Sequence, residues 1–428
     1  MSSFKLLALI CLCLLLLIFR FWTFYQQLPV YHDGQPIRFE SRLTEEPKVS
    51  SGTKRFKLDI KDELQVNVVV RSTLELSYGD RLFIDGVFTK KEYQGHVYWS
   101  IYFPKLQIIK KEENIVTQFA LNIRNKAKTI YNESLSPTES GLLLGIIFGG
   151  KQGMPEDFLD KLQVVGALHV IAASGMNVSF VAGALLFLLG NLMRRQFALI
   201  LGIIGVIFYT FITGLEPSIV RAAIMAIFAF SASFFGRQYF AVFTLFLTGY
   251  LMLLWQPSYL FSVGFQLSFL ATLGILVVKP VLDEGVTKLG KLGGLRDDVT
   301  TTMAAQIGTL PILLGVFGTV GIVSLLVNCL ILWTVPFLMT FGSLSVLVSF
   351  FCEPLGKLLA FICLPFLWYF EVMVNYFGEW GWMWHTESFS WEYIIGYYLV
   401  VLAVIVFFQK KKKTNQPDDA SDRSVKIL

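Results

Sequence analysis

Charge is scarce in this chain. Only 16% of the 428 residues are charged and histidine occurs four times, whereas 54% are hydrophobic. A soluble domain needs more polar surface than that, and several apolar runs are long enough to cross about 30 Å of hydrocarbon. The composition implies a polytopic membrane protein. Cysteine is also sparse: Cys11, Cys13, Cys329, Cys352 and Cys363 all fall in apolar segments without C-x-x-C spacing. That argues against a disulfide framework or a thiolate metal site. His32, His96, His169 and His385 form no H-x-H-x-D-H cluster. No G-x-x-x-x-G-K-[ST] loop appears, so no nucleotide-driven motor is encoded in these residues, and no metal or cofactor is expected.

What is present falls into blocks. One lysine precedes the apolar run of MSSFKLLALICLCLLLLIFRFWTFYQQLPV, as in a signal peptide. With no small-x-small cleavage site and an aromatic belt at Phe21, Trp22, Phe24 and Tyr25, residues 1–28 read instead as an uncleaved transmembrane anchor. Residues 29–112 change texture. RFKLDI, LQVNVVV, DRLFIDGVF and HVYWSIYF alternate apolar and polar positions, which predicts a small antiparallel β domain resembling a five-stranded OB barrel. Such barrels often bind single strands on aromatic and basic surfaces, making Tyr93, Tyr98, Trp99 and Tyr102 candidate platforms, although alternation sends half of them into the core.

Residues 113–150 begin with an amphipathic helix over 116–135, its polar side carrying Arg124, Lys126 and Lys128, expected on the membrane surface. Ser136-Pro137-Thr138-Glu139 marks a helix start with Pro137 first. Residues 141–149 are too few to span and predict a re-entrant or interfacial segment. The polytopic domain, 151–409, offers spans near 166–190, 197–214, 217–235, 240–256, 259–279, 299–316, 322–350, 358–377 and 391–409. The 322–350 run, with Pro336 and Gly342, reads as one kinked helix or two short ones. Arg194-Arg195, Arg237, the group Lys279, Lys288, Lys291 and Arg296, and Lys410–Lys413 recur on alternate sides. The positive-inside rule makes those sides cytoplasmic, puts the β domain outside, and leaves 410–428 as a cytoplasmic tail of the inner membrane protein.

Polar groups at membrane depth are costly and mark pathways, cavities or helix contacts. They are His169, Ser174 and Asn177, then Glu216 and Arg221, Gln266 and Ser268, and Gln306, Thr309 and Asn328. On a continuous helix Gly166, His169, Ala173 and Asn177 would share one narrow face, while Ser174-Gly175 invites a break. Interhelical hydrogen bonding is the plainest role for such residues. A base and nucleophile pair of His169 and Ser174 is disfavoured, because five residues rotate them about 140° apart on a regular helix. Arg221 either pairs with Glu216 or meets a phosphate in a wet path.

These residues sit in motifs that resemble the ComEC competence proteins. LHVIAASGMNV is similar to that family's H-L-L-A-x-S-G-L-H-V, and PSIVRAAIMA to its S-x-x-R-A-x-x-M. QPSYLFSVGFQLSFLATLGI, QIGTLPILLGVFG and SLLVNCL follow in the family order, and the resemblance runs from about residue 30 to 380. It implies an inner-membrane channel that carries single-stranded DNA into the cytoplasm in natural transformation, not an enzyme. By the same resemblance His169, Ser174, Gly175, Arg221, Gln266, Ser268 and Asn328 lie near a central translocation path, and Asn177 and Gln306 are expected to line it with them. The implied partners are the bilayer, a DNA receptor outside, a helicase and strand-binding proteins inside, and a separate nuclease. Two departures stand out. The family's second histidine is Asn177 here, and the metallo-β-lactamase-like domain of many members has no counterpart in these histidines. Two other readings remain, a permease for another anionic or lipid-linked substrate and a non-catalytic assembly platform.

Overall fold

The structure, a computed structural model, describes residues 3–27, 31–43, 48–50, 53–60, 64–71, 76, 80–93, 96–109, 115–151, 153–172, 174–286, 293–321, 323–381, 383–385 and 391–415. It opens on α1 (Ser3–Gln27). Strands β1 (Pro36–Arg42), β2 (Lys48–Ser50), β3 (Thr53–Ile60), β4 (Leu64–Arg71), β5 (Arg81–Tyr93), β6 (His96–Tyr102) and β7 (Lys105–Ile108) follow as one sheet in the order β1-β5-β6-β4-β3-β2, with β7 also on β5. The alternation seen in the sequence becomes a core of Phe56, Leu58, Val66, Val68, Leu82, Ile84, Phe88 and Ile101. The expected all-antiparallel pairing is corrected at one place, where β4 and β6 run parallel. Alternation tells which face of a strand is buried, not which strand lies beside it. β5 explains the geometry. Its first half pairs with β1 and β7, its second half with β6, and β1 lies against β3, so the sheet curls round a single core.

The helices are α2 (Ile115–Ser134), α3 (Pro137–Phe148), α4 (Glu156–Val164), α5 (Leu168–Ile171), α6 (Gly175–Leu192), α7 (Arg195–Ile212), α8 (Pro217–Phe234), α9 (Ala241–Trp255), α10 (Val263–Val277), α11 (Lys279–Val286), α12 (Gly293–Phe317), α13 (Ser324–Ile331), α14 (Val335–Ser349), α15 (Glu353–Ile362), α16 (Leu364–Gly378) and α17 (Trp391–Asn415). A short ladder joins β8 (Thr319–Gly321) to β9 (Met383–His385). Among the described residues seven stretches are long and apolar enough to cross a membrane: 175–192, 195–212, 217–234, 263–284, 296–316, 324–349 and 353–378. The spans expected near 240–256 and 391–409 are shorter apolar helices. Residues 324–349 form one kinked unit, interrupted by a 3-10 turn at Leu332–Thr334 just before Pro336. Lys288, Lys291 and the tail after 415 lie outside the described residues.

Two local features organise the bundle. α3 starts as its sequence predicts, with Ser136 and Glu139 in a reciprocal capping box and Pro137 in the first turn. It then runs buried on nearly every side among α2, α5, α14 and α16, so α3 is a central helix of the main core. α2 turns Ile123, Ala127, Ile130 and Tyr131 into the same core, and Lys126–Glu353 (2.8 Å) and Glu133–Lys357 (2.7 Å) tie it to α15. On the other side α10 and α12 approach so closely at Gly274 and Gly308 that a Cβ on either would strike the facing backbone at Ala304 O or Leu270 O. Pro311, lacking an N–H, leaves the Ile307 carbonyl without its helical donor. Tyr397 of α17 donates its hydroxyl there (3.0 Å), and Tyr398 does the same to Gly308 O (2.9 Å).

Candidate functional site

The segment GALHVIAASGMNV is a helix stop, a single turn and a helix start. Gly166 closes α4 in the left-handed region (φ 69), with Ala167 N–H on Leu162 O at 2.8 Å. Only glycine fits there, since a Cβ would also sit 2.6 Å from Ser324 Cβ. After α5 the chain extends at Ala172 and Ser174, then α6 begins at Gly175. The single narrow face expected for Gly166, His169, Ala173 and Asn177 is therefore corrected. The break places His169 and Asn177 on different helices, and Ala173 lies outside the described residues.

Three polar groups meet this segment. In the first, His169 is exposed while Val170 and Ile171 beside it are buried. Its Nδ1–H donates to Gly166 O (3.0 Å), which leaves Nε2 as an outward acceptor. Gly166 packs on Ser324, whose Oγ accepts from Gln306 Nε2 at 2.9 Å, so His169 and Gln306 share one neighbourhood through α13. Asn328, one turn beyond Ser324 and 3% exposed, keeps its Oδ1 without a hydrogen-bond partner among the described residues.

The second group is closed. Asn177 is 0% exposed, its Nδ2 donates to Ile146 O (2.7 Å) and its Oδ1 accepts from Ser174 Oγ (3.1 Å). Tyr209 of α7 donates to Ile147 O at 2.7 Å. Both acceptors belong to the last turn of α3, where carbonyls lack helical donors, so these side chains finish that helix.

The third group is charged. Pro217 fits the first turn of α8, and one turn on Arg221 is 6% exposed. Its Nε donates to Ser268 Oγ (3.0 Å) and its Nη1 to Thr272 Oγ1 (2.5 Å), with Met225 Sδ at 3.6 Å. Of the two partners weighed from sequence, Glu216 is not where these bonds go; they cross to α10. Nη2 faces Gly175 so closely that a Cβ there would lie 2.8 Å away. Gln266, on the same helix, points its amide elsewhere and closes a 3-10 turn, Pro257–Phe261, at Leu260 O (2.8 Å).

Sequence reasoning missed Thr272, Ser324 and Tyr209. Thr272 lies one helical turn after Ser268 and Ser324 one turn before Asn328, a spacing that marks shared faces. Tyr209 sits in an aromatic-rich helix and gave no signal. In the β domain Trp99 is half-buried against Phe88 and Tyr31 (5.3 and 6.4 Å between rings), and the side chains of Tyr93 and Tyr98 lie outside the described ones. Tyr102, the fourth candidate, is exposed beside Phe103, with Lys91 Nζ 4.8 Å from the Tyr102 ring centre and Arg71 Cζ 5.0 Å from that of Phe103. Lys91, through its hydrogen bond, holds the Tyr102 phenol below its ordinary pKa.

The sequence matches the competence protein family over residues 146–411. ComE operon protein 3 of Bacillus subtilis (strain 168) is 28% identical over 257 residues, 59% of this chain and 32% of that protein. An uncharacterized protein of Aquifex aeolicus (strain VF5) is 28% identical over 264 residues, 61% of this chain and 59% of its own. The matched part thus spans less than two thirds of either relative. No solved structure matches significantly.

Proposed function

The chain belongs to the competence protein family, and on that premise we propose that it is an inner-membrane channel carrying single-stranded DNA into the cytoplasm. The observation that carries this reading is Arg221, a buried cation whose hydrogen bonds end on hydroxyls and a thioether. A guanidinium held that way attracts the phosphate of a passing strand without the grip of many cations, which would stall movement. His169, Ser174, Gly175, Ser268 and Gln306 supply polar neighbours along the same path, with Asn177, Gln266 and Asn328 behind them. These residues provide neither a nucleotide-hydrolysing nor a nuclease centre, so a cytoplasmic helicase or strand-binding protein draws the strand inward, after an external receptor delivers it.

The curled sheet serves as an extracytoplasmic OB-like domain that presents the strand. Its contact face is Arg55, Arg71, Lys91, Tyr102 and Phe103. Register aligns Arg55, Val69 and Tyr102 across β3, β4 and β6, and rings beside cations suit base stacking with phosphate contact. The test is entry of labelled DNA into the DNase-protected cytoplasm of the parent strain, a deletion, and Arg221→Ala and His169→Ala strains matched for protein abundance. Entry lost in the deletion and in well-expressed variants supports the channel. Entry unchanged in the deletion, with no homologue present, overturns it.

A further inference from the structure

Resting on that reading, we infer that the N-terminus of α6 and the Nη2 side of Arg221 form one seat for a single phosphodiester anion. The argument begins with an electrostatic conflict. An α-helix carries roughly half a positive charge at its N-terminus, concentrated on its first N–H groups. α6 is 18 residues long, and its cap residue Ser174 does not satisfy them, because its hydroxyl is turned to Asn177 Oδ1. The N–H groups of Gly175 and Met176 have no partner among the described residues.

Against this positive end the fold packs a full positive charge. Arg221 is more than nine-tenths buried, and its Nη2 lies beside Gly175, the first residue of α6. Nε and Nη1 are occupied by Ser268, Thr272 and Met225, so the guanidinium is braced from behind, while Nη2 has no hydrogen-bond partner among the described residues. No ion pair joins it to a described carboxylate. Two positive groups held together at low dielectric repel unless an anion lies within reach of both. Backbone N–H groups and a guanidinium edge together match a phosphate's oxygens. Gly175 is needed because a Cβ there would lie 2.8 Å from Nη2 and 3.2 Å from Ala222 Cβ, and so would push the helix end away from the guanidinium. The half-buried state of Ser174, Gly175 and Met176 leaves the seat reachable from the exposed side where Ala172 and His169 stand.

A phosphodiester has two sources here, a nucleic-acid strand and a phospholipid headgroup. The test therefore uses the full chain in phospholipid-free detergent with two probes. One is a fluorescent oligothymidylate, paired with its uncharged methylphosphonate analogue; the other is phosphatidylglycerol, followed by native mass spectrometry. Gly175→Ala, Arg221→Gln and Arg221→Lys are compared, each required to be monodisperse on size exclusion. The two arginine variants suffice where the alanine variant does not fold. Expected is at least a tenfold loss of oligothymidylate binding in Gly175→Ala and Arg221→Gln and partial recovery in Arg221→Lys. The methylphosphonate oligomer should bind the parent no better than oligothymidylate binds Arg221→Gln. Variants that release phosphatidylglycerol but keep oligothymidylate would uphold the anion seat and overturn the DNA reading of it. Unchanged binding of both probes in every folded variant overturns the seat itself.

Discussion

The corners around Asn177 and Arg221 hang from the same α5–α6 segment and are finished in opposite ways. At Asn177 the amide's nitrogen and oxygen each meet a partner inside the protein, and Tyr209 completes the helix end beside it. At Arg221 a whole charge is enclosed with neutral partners only. Polar residues at membrane depth look alike in a sequence. What separates these two is whether their bonding closes within the chain.

Removing a closed partner should cost most. Asn177→Ala exposes the buried Ile146 carbonyl and opens a void, an expected loss of about 3 kcal/mol, read as a lower unfolding temperature in detergent and lower abundance. Arg221→Met should have the opposite sign. Taking an uncompensated charge out of a low-dielectric site is expected to raise stability by about 2 kcal/mol, and a clear fall would show that the charge has a partner after all.

The α12 proline sharpens the same contrast. Tyr397→Phe strands the Ile307 carbonyl and is expected to cost about 1.5 kcal/mol. In a Pro311→Ala background the restored N–H takes over that carbonyl, so the tyrosine change should become nearly silent; additive costs in this double-mutant cycle would contradict the account. Smallest is Ser136→Ala, which removes one half of the α3 capping box and should cost about 1 kcal/mol in the same unfolding measurement.

Much of this was legible. The Ser136-Pro137-Thr138-Glu139 start, the break at Ser174-Gly175, the strands of the β domain and the polar residues of α8, α10, α12 and α13 all follow from spacing and side-chain chemistry. Partnerships were not. Arg221 reaches Ser268 and Thr272 across 47 and 51 residues, a choice made by helix packing that no local pattern contains. Parallel pairing of β4 with β6 is hidden for the same reason, because alternation records burial and not neighbours. The length of α3 marks it as short of a span, but its position at the centre of the core takes four other helices to build.

The most direct measurement is paired, in cells carrying Arg221→Gln or Asn177→Ala, with protein abundance and DNase-protected entry of labelled DNA read from the same culture. The account predicts that Arg221→Gln accumulates normally and admits at least tenfold less DNA per molecule, whereas Asn177→Ala loses entry only as its abundance falls. Entry that tracks abundance in both strains would contradict it, making Arg221 one more packing residue.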